Sequence, residues 1–267
     1  MDIHKYHTAV LLGLMLCAGT SMAADAESAV KAIEKGKSLL DQNDLRSAIS
    51  AFTDAIRLDP KDAEAYYLRG LAYVKVGKPG KAIADSTEAI WLNPKFAKAY
   101  HLRGILYTGK GELDKAIDDF REAIRFNPKD IKAYNNRGAA YTMKGDFDKA
   151  IDDYTEAIRL NPKDAKAHNN RGIGYMKKGD LDKAIADFTE AIRRNAKLGD
   201  AYYNRGVAYA KKDDLDKAIA DYTEAIRLDP KHVAVYERRA IVYERRGNKL
   251  EAEKDHAQAK KLEHKEE

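Results

Sequence analysis

The sequence predicts an all-α fold: a right-handed superhelical solenoid of about seven helix-turn-helix repeats. Two observations predict it. Prolines recur at a fixed spacing, because Pro60, Pro94, Pro128 and Pro162 follow one another at intervals of 34 residues and Pro230 comes 68 residues later. A fixed period of this length is typical of arrays in which each repeat packs only on its neighbours. Small and aromatic residues also return at the same places in each period, three and four residues apart, as on one face of an α-helix.

Each period divides into a first and a second helix. We count positions within a repeat from seven starting residues, which are Ala29, Ala63, Ala97, Ile131, Ala165, Gly199 and Val233. The first helix has mostly aromatic residues at positions 4 and 11 and glycine at position 8, namely Gly36, Gly70, Gly104, Gly138, Gly172 and Gly206. The second helix has alanine at positions 20 and 27 and mostly an aromatic residue at position 24, namely Phe52, Phe120, Tyr154, Phe188 and Tyr222. Glycine and alanine remove bulk, so the two helices can approach closely.

The repeats also carry helix-ending signals. Glycine lies between the two helices, where a turn needs a positive φ angle; these residues are Gly77, Gly111, Gly145, Gly179 and Gly247. The proline at position 32 ends the second helix. A single hairpin is too small to bury its own apolar face, so we expect each repeat to complete its core on its neighbours. The second helix of the last repeat is very polar, as expected of a C-terminal cap.

This pattern resembles the tetratricopeptide repeat family over about 240 residues. We divide the chain into a signal peptide over 1–23, a short segment over 24–28, six repeats of 34 residues over 29–232, and a seventh, capping repeat with a polar C-terminal helix over 233–267. The resemblance implies that the first helices line a concave groove into which positions 2, 5, 6, 9 and 12 face. It also implies that the groove binds a protein or peptide.

The charges argue against two classes of partner. The 48 basic and 43 acidic residues leave a net charge of +5, and opposite charges alternate along the chain. Alternation of this kind is typical of solvated helix faces with ion pairs one turn apart. No basic stripe is visible, so the sequence does not predict binding to nucleic acid or to a membrane surface.

The first residues have the three parts of a secretory signal. Lys5 precedes an apolar stretch over 9–19, and the small residues Ser21 and Ala23 predict cleavage after Ala23. The stretch is too short for a stable membrane span. We therefore expect an exported, periplasmic protein; the alternatives are a lipoprotein anchored through Cys17 and an ordinary first helix of a cytosolic protein. Because Cys17 is the only cysteine, the cleaved chain could form no disulfide.

An arginine at position 7 and an aspartate at position 23, sixteen residues later, recur together. Position 7 adjoins the packed face, where a partly buried guanidinium group needs a partner. We expect a series of Arg–Asp ion pairs between the two helices of each repeat; the alternative is a line of arginines that bind an anionic ligand. The arginines are Arg69, Arg103, Arg137, Arg171, Arg205 and Arg239, and the aspartates are Asp85, Asp119, Asp153, Asp187, Asp221 and Asp255.

Asparagine recurs on the expected groove surface. Position 6 holds Asn136, Asn170 and Asn204, and position 5 adds Asn135 and Asn169. Asparagine is a middling helix former, so its recurrence calls for a reason. Its amide both donates and accepts hydrogen bonds, so regularly spaced amides can bind the backbone of an extended peptide without reading its sequence. The pattern resembles an asparagine ladder known within the tetratricopeptide family; the alternative is repeat consensus on a solvated surface.

Two tyrosines and the single tryptophan of the expected mature chain fall outside the repeat pattern. Thirteen of the sixteen tyrosines occupy positions 4, 11 and 24, but Tyr67 and Tyr203 both occupy position 5. An aromatic residue that packing does not need and that faces a groove is a candidate contact residue; the alternative is an ordinary surface tyrosine. Trp91, at position 29, either forms an outer contact surface or packs over a neighbouring helix end to compensate for Ser86 at the aromatic position 24.

The sequence carries no motif for catalysis. No glycine-rich phosphate loop follows a strand pattern, and no serine or cysteine has the surroundings of a nucleophile. The histidines are scattered and form no close metal-binding pair. We therefore expect no enzyme activity, no cofactor and no metal. The expected function is a scaffold or adaptor in the bacterial cell envelope that binds a partner polypeptide in the groove; the alternative is a periplasmic, chaperone-like holder of extended exported chains.

Overall fold

The structure is a computed structural model that describes residues 26–263. This part of the chain consists of fourteen α-helices and contains no strand. Helix α1 covers residues 26–41. The others are α2 Leu45–Leu58, α3 Ala63–Lys75, α4 Pro79–Leu92, α5 Ala97–Gly109, α6 Leu113–Phe126, α7 Ile131–Lys144, α8 Phe147–Leu160, α9 Ala165–Lys178, α10 Leu181–Arg194, α11 Gly199–Lys211, α12 Leu215–Leu228, α13 Val233–Arg245 and α14 Lys249–Glu263. The expected signal peptide lies outside the described residues.

The helices pair into seven hairpins, from α1 with α2 to α13 with α14. Six first helices begin at the starting residues counted from the sequence, namely Ala63, Ala97, Ile131, Ala165, Gly199 and Val233. The prediction of an all-α solenoid of about seven helix-turn-helix repeats is therefore confirmed. The chain forms two compact units, which divide after Pro128, and each has its own core.

Unit 1 contains α1 to α6. Its core joins successive hairpins, because Ile33 of α1, Phe52 of α2 and Leu68 of α3 belong to one buried cluster. A second cluster joins Ala82 of α4 to Leu102 of α5. Helix α2 packs on α3, and α4 packs on α5, so each apolar face is completed by the next hairpin as expected.

Unit 2 contains α7 to α14. One buried cluster joins Phe188 of α10 to Ala208 of α11, and another joins Tyr222 of α12 to Val235 and Val242 of α13. Helix α8 packs on α9, α10 on α11 and α12 on α13. The first helices α7, α9, α11 and α13 contact one another in that order, so their exposed sides form one continuous surface within the unit.

The turns between paired helices follow the glycine pattern. The five predicted glycines have φ angles between +69° and +88°, which confirms their role. In the first and sixth hairpins the same position is held by Asn43 (φ 62°) and Asp213 (φ 64°). Asn and Asp adopt this left-handed conformation more readily than other side chains do, so the turn is kept without glycine.

The glycine at position 8 permits close helix contact where the second helix carries an aromatic ring. A Cβ atom on Gly104 would lie 2.7 Å from Cε1 of Phe120, a fully buried ring. In the α3–α4 hairpin Ser86 replaces that ring, and a Cβ atom on Gly70 would meet nothing closer than 3.5 Å. The hydroxyl of Ser86 donates to the carbonyl oxygen of Ala82 at 2.8 Å, which satisfies this buried polar group locally.

Trp91 does not compensate for Ser86. Its side chain is 73% exposed at the end of α4, so the interpretation that it packs over a neighbouring helix end is wrong. The residues at position 29 are exposed on the second helices, and most of them are arginine.

The predicted series of Arg–Asp ion pairs is confirmed. Arg69 donates from Nε and Nη2 to the two carboxylate oxygens of Asp85 at 2.9 and 2.8 Å, and the other five pairs repeat this two-pronged geometry. The aspartates are buried and the guanidinium groups are engaged, which argues against a line of arginines for an anionic ligand. Five of the arginines also donate to a threonine in the preceding second helix: Thr53, Thr87, Thr155, Thr189 and Thr223. Each of these five therefore connects the second helices of two successive hairpins.

Candidate functional site

Three of the predicted asparagines form a connected network on the first helices of unit 2. Asn204 of α11 donates from Nδ2 to Oδ1 of Asn169 in α9 at 3.1 Å. Asn169, only 7% exposed, donates in turn to Oδ1 of its neighbour Asn170 at 3.5 Å. The network joins two adjacent first helices and fixes the orientation of all three amides.

Two amide atoms of this network remain unused. Nδ2 of Asn170 and Oδ1 of Asn204 make no hydrogen bond within residues 26–263. Both side chains are half-buried, so they border solvent on the shared surface of α9 and α11. The surface therefore offers one donor and one acceptor, which is what a peptide backbone requires of a binding site.

The asparagines of α7 have a different setting. Asn135 donates from Nδ2 to Oδ2 of Asp164 at 3.3 Å, while Oδ1 of Asp164 accepts from the backbone at the start of α9. Oδ1 of Asn135 is buried and has no partner within the described chain. Asn136 is half-buried one residue further along α7. Asn135 and Asn169, at position 5, thus each use at least one amide atom in a hydrogen bond within the protein. More of the exposed amide surface therefore belongs to the asparagines at position 6 than to those at position 5.

Tyr67 and Tyr203 pack against rings of the following turn. In unit 1, Tyr67 lies 5.2 Å from the ring of Phe96, at an interplanar angle of 59°. In unit 2, Tyr203 stacks on His232 at 5.7 Å and 27°. Both tyrosines are half-buried against core clusters, so the assumption that packing does not need them is wrong. Their role as contact residues for a partner stays a prediction.

These contacts follow a rule that the sequence could have revealed. The residue at position 5 contacts the residue at position 34, which immediately precedes the next first helix: Tyr67 with Phe96, Asn135 with Asp164, and Tyr203 with His232. In three repeats position 34 is an aspartate whose side chain caps the N-terminus of the next helix; these residues are Asp62, Asp130 and Asp164. Where position 5 is tyrosine, position 34 of the same repeat is phenylalanine or histidine. This pairing in the sequence would have predicted that the two rings are in contact.

Two clefts border this surface in unit 2. One, of about 280 Å³, lies between α11 and α13 over the ring of Tyr222 and is lined by Val207, Arg238, Ile241 and Arg245 among others. The other, also about 280 Å³, is lined by Leu198, Tyr203, Leu228 and His232 among others. Sequence reasoning missed Arg238, although it occupies position 6, the position that holds asparagine in the three preceding repeats.

The described residues include no group of three or more His, Cys, Asp or Glu side chains arranged to hold a metal ion. Within the same range, every helix is too short or too polar to cross a lipid bilayer.

Comparison with known proteins identifies the repeats. Models described as tetratricopeptide repeat match residues 63–96, 131–164, 165–198 and 199–232, and a model described as TPR repeat matches residues 36–77 and 106–145. No curated protein sequence matches the chain significantly.

Solved structures agree with this assignment. The chain is 28% identical to YrrB, described as a TPR protein with an unusual peptide-binding site; the match covers 69% of this chain and 95% of that one, with a TM-score of 0.61. A structure of MamA is 30% identical, with 61% of this chain and 95% of that one covered and a TM-score of 0.58. A tetratricopeptide repeat protein from Parabacteroides merdae, 23% identical, shares the fold over 88% of this chain and 93% of its own, with a TM-score of 0.69.

Proposed function

This chain belongs to the tetratricopeptide repeat family, and we propose that it is a scaffold that binds an extended segment of a partner polypeptide along α7, α9 and α11. The observation that carries the proposal is the pair of unused amide atoms, Nδ2 of Asn170 and Oδ1 of Asn204, held in place by Asn169. A backbone that runs past them can pair both its N–H and its C=O groups. We propose binding rather than catalysis, because the surface offers hydrogen-bonding amides and apolar side chains.

The expected affinity is modest. Each amide-to-backbone hydrogen bond contributes on the order of 1 kcal/mol net. Apolar contacts with Ile173 and Val207, which follow the asparagines by three residues on the same helices, supply the rest. Together they correspond to roughly micromolar binding, about −8 kcal/mol. The peptide-binding site named in the description of YrrB, 28% identical to this chain, supports a peptide as the ligand.

The proposal is tested with an array of short synthetic peptides of varied sequence and a variant that combines Asn136→Ala, Asn170→Ala and Asn204→Ala. We expect the best peptides to bind the wild-type protein with roughly micromolar affinity by fluorescence anisotropy. The triple variant should bind them at least about tenfold more weakly, because about one to three hydrogen bonds are lost. Its helical circular dichroism should match that of the wild type.

A matched control removes two amides elsewhere. Asn161→Ala and Asn195→Ala truncate asparagines that end α8 and α10 and lie outside the first helices. This variant should keep the affinity of the wild type. Unchanged peptide affinity in the triple variant would reject the asparagine ladder and leave these residues as repeat consensus.

The breadth of binding separates a dedicated adaptor from a chaperone-like holder of exported chains. Amides that pair only with backbone do not discriminate between side chains, and this favours the holder. Binding to many unrelated peptides with similar affinity supports the holder, whereas a narrow set that shares side chains supports the adaptor.

We further propose that the protein is exported to the periplasm after cleavage behind Ala23. The support is the arrangement of Lys5, the apolar stretch over 9–19 and the small residues before the cleavage point. Mass spectrometry of the mature protein from a bacterial host should give Ala24 as the first residue. A first residue of Cys17 carrying lipid indicates the lipoprotein alternative, and an uncleaved chain in the cytosol rejects export.

A further inference from the structure

The cleft between α11 and α13 contains an arginine that no acidic residue of the described chain neutralises. Among the arginines of the described chain, only Arg46 and Arg238 form no ion pair. Arg238 is exposed and lines the cleft together with Lys211 and Arg245. Arg245 is held in place, because it donates to the carbonyl oxygen of Ala210 at 3.0 Å and to Asp213 at 2.8 Å. The cleft therefore has positive charge that is only partly compensated.

Acidic residues of α13 do not offset this charge inside the cleft. Glu237 and Glu244 lie on the same helix, but neither lines the cleft. Glu244 instead contacts Nε2 of His256 in α14 at 3.2 Å. A carboxylate supplied from outside would meet no acidic side chain among the lining residues.

Beneath these cations lies the ring of Tyr222, whose hydroxyl group has no partner among the described residues. The Tyr222 side chain is 1% exposed and lines the cleft, yet its hydroxyl makes no hydrogen bond in the described part of the chain. In the α7–α8 hairpin the equivalent hydroxyl, on Tyr154, contacts Thr142 at 3.4 Å; at the corresponding position of α11 stands Ala210. The Tyr222 hydroxyl is therefore free to donate to a ligand atom in the cleft.

The charge of the arginines reaches this hydroxyl. Burial raises the pKa of Tyr222, so the group stays protonated and can donate a hydrogen bond at neutral pH, and Arg238 and Arg245 oppose the rise. Arg238 and the Tyr222 hydroxyl can therefore act on one negatively charged group.

The remaining walls are apolar. Val207 and Ile241 flank the cations, and Ile241 is 43% exposed. Arg238 also continues the line of position 6 beyond Asn136, Asn170 and Asn204, so a segment bound along that line reaches this cleft next. In an extended segment, side chains two residues apart share one face.

We propose, as an extension of the peptide binding proposed above, that this cleft selects a segment with an acidic side chain and an apolar side chain two residues away. The carboxylate binds Arg238 and accepts from the Tyr222 hydroxyl, and the apolar side chain packs between Val207 and Ile241. The partner is thus an extended polypeptide in which an internal Asp or Glu alternates with a residue such as leucine.

The test uses a short host peptide of alanine, serine and glycine that carries Glu-Ala-Leu, Gln-Ala-Leu or Lys-Ala-Leu, with both ends blocked. Affinities are measured by calorimetry with the full-length protein. Because a hydrogen bond to a charged group is stronger than one to a neutral group, the glutamate peptide should bind at least about tenfold more tightly than the glutamine peptide, and the lysine peptide should be weakest. Arg238→Gln should abolish the preference for glutamate.

Two matched pairs control for charge and for packing. Arg46→Gln removes the other unpaired, exposed arginine and should leave the preference intact. Tyr222→Phe removes only the hydroxyl and installs the residue that Phe52, Phe120 and Phe188 hold at the same position, so the fold should be kept; the preference should fall, while Tyr154→Phe should preserve it.

Each outcome bears on a separate claim. Equal binding of the glutamate and glutamine peptides, or equal losses in Arg238→Gln and Arg46→Gln, overturns the selective cleft but leaves backbone binding in place. A preference that appears only with an unblocked C-terminus assigns the cleft to a chain end and overturns the internal acidic residue. Failure of every host peptide to bind at millimolar concentration rejects the peptide-binding function and this inference together.

Discussion

Replacing glycine by alanine at position 8 should stabilise the protein in one hairpin but not in the next. Alanine is favoured over glycine in a helix interior by about 1 kcal/mol. At Gly70 the new methyl group would find its nearest neighbours at 3.5 Å, an ordinary contact distance, so Gly70→Ala should raise the free energy of unfolding by close to that amount. At Gly104 the methyl group would lie 2.7 Å from the fully buried ring of Phe120. Overpacking of this kind costs about 1–3 kcal/mol, so Gly104→Ala should be neutral to destabilising by about 2 kcal/mol.

Urea unfolding followed by circular dichroism measures the difference. The midpoint should move upward for Gly70→Ala and downward or not at all for Gly104→Ala. A double variant, Gly104→Ala with Phe120→Ser, copies the small-residue arrangement of the α3–α4 hairpin. Relative to Phe120→Ser alone, the alanine should then be stabilising. Equal upward shifts for both single variants would refute the argument that ring contact is the reason for glycine at position 8.

Two further predictions follow from buried polar groups. Arg205→Ala should destabilise the protein by about 3–5 kcal/mol, because it leaves Asp221, which is 6% exposed, without its counter-charge; Arg193→Ala, at an exposed pair, is the control and should change the urea midpoint little. Equal effects of the two variants would show that burial does not set the strength of the ion pairs. Burial raises the pKa of Tyr154 and Tyr222 in the folded protein above the unfolded value near 10, so the stability they contribute is present below about pH 10 and is lost as the pH rises further. A variant with Tyr154→Phe and Tyr222→Phe should lose less stability between about pH 10 and 11 in circular dichroism titrations, and an unchanged slope would contradict this assignment.

The fold could be predicted from the sequence because each hairpin repeats the same local solution. Pro60 and its equivalents end second helices, and Gly77 and its equivalents take a positive φ angle. The Arg69–Asp85 spacing recurs in five other repeats, so burial next to a packed face was enough to predict the ion pairs. Asn43 and Asp213 have a positive φ angle, as the turn glycines do. A pattern based on glycine alone does not predict these two turns.

The candidate site was less predictable because its contacts run between repeats and between unlike positions. Asn170 and Asn204 occupy the same position of the repeat, so the sequence predicts the same role for both. In the structure, however, Asn204 of α11 donates a hydrogen bond to the buried Asn169 of α9. Tyr67 is engaged by a ring at the other end of its own repeat. Composition also could not show that Arg238 forms no ion pair within residues 26–263, since that depends on which of the many acidic side chains lie within reach.

The arginines at position 7 restrict how such a chain can change its length. Arg69 is bonded to Thr53 and Asp85, sixteen residues before and sixteen after it, and Arg205 is bonded in the same way to Thr189 and Asp221. A gene duplication that adds one whole period restores both spacings wherever its breakpoint falls within the repeat. An insertion inside a helix that is not a whole number of periods rotates an arginine away from one of its partners and leaves a buried carboxylate without its counter-charge or a guanidinium group with one bond fewer. Unequal crossing-over can thus begin at any point of the repeat, but it must add or remove whole periods. The nearly identical sequences of α10 and α12 are consistent with duplications of this kind.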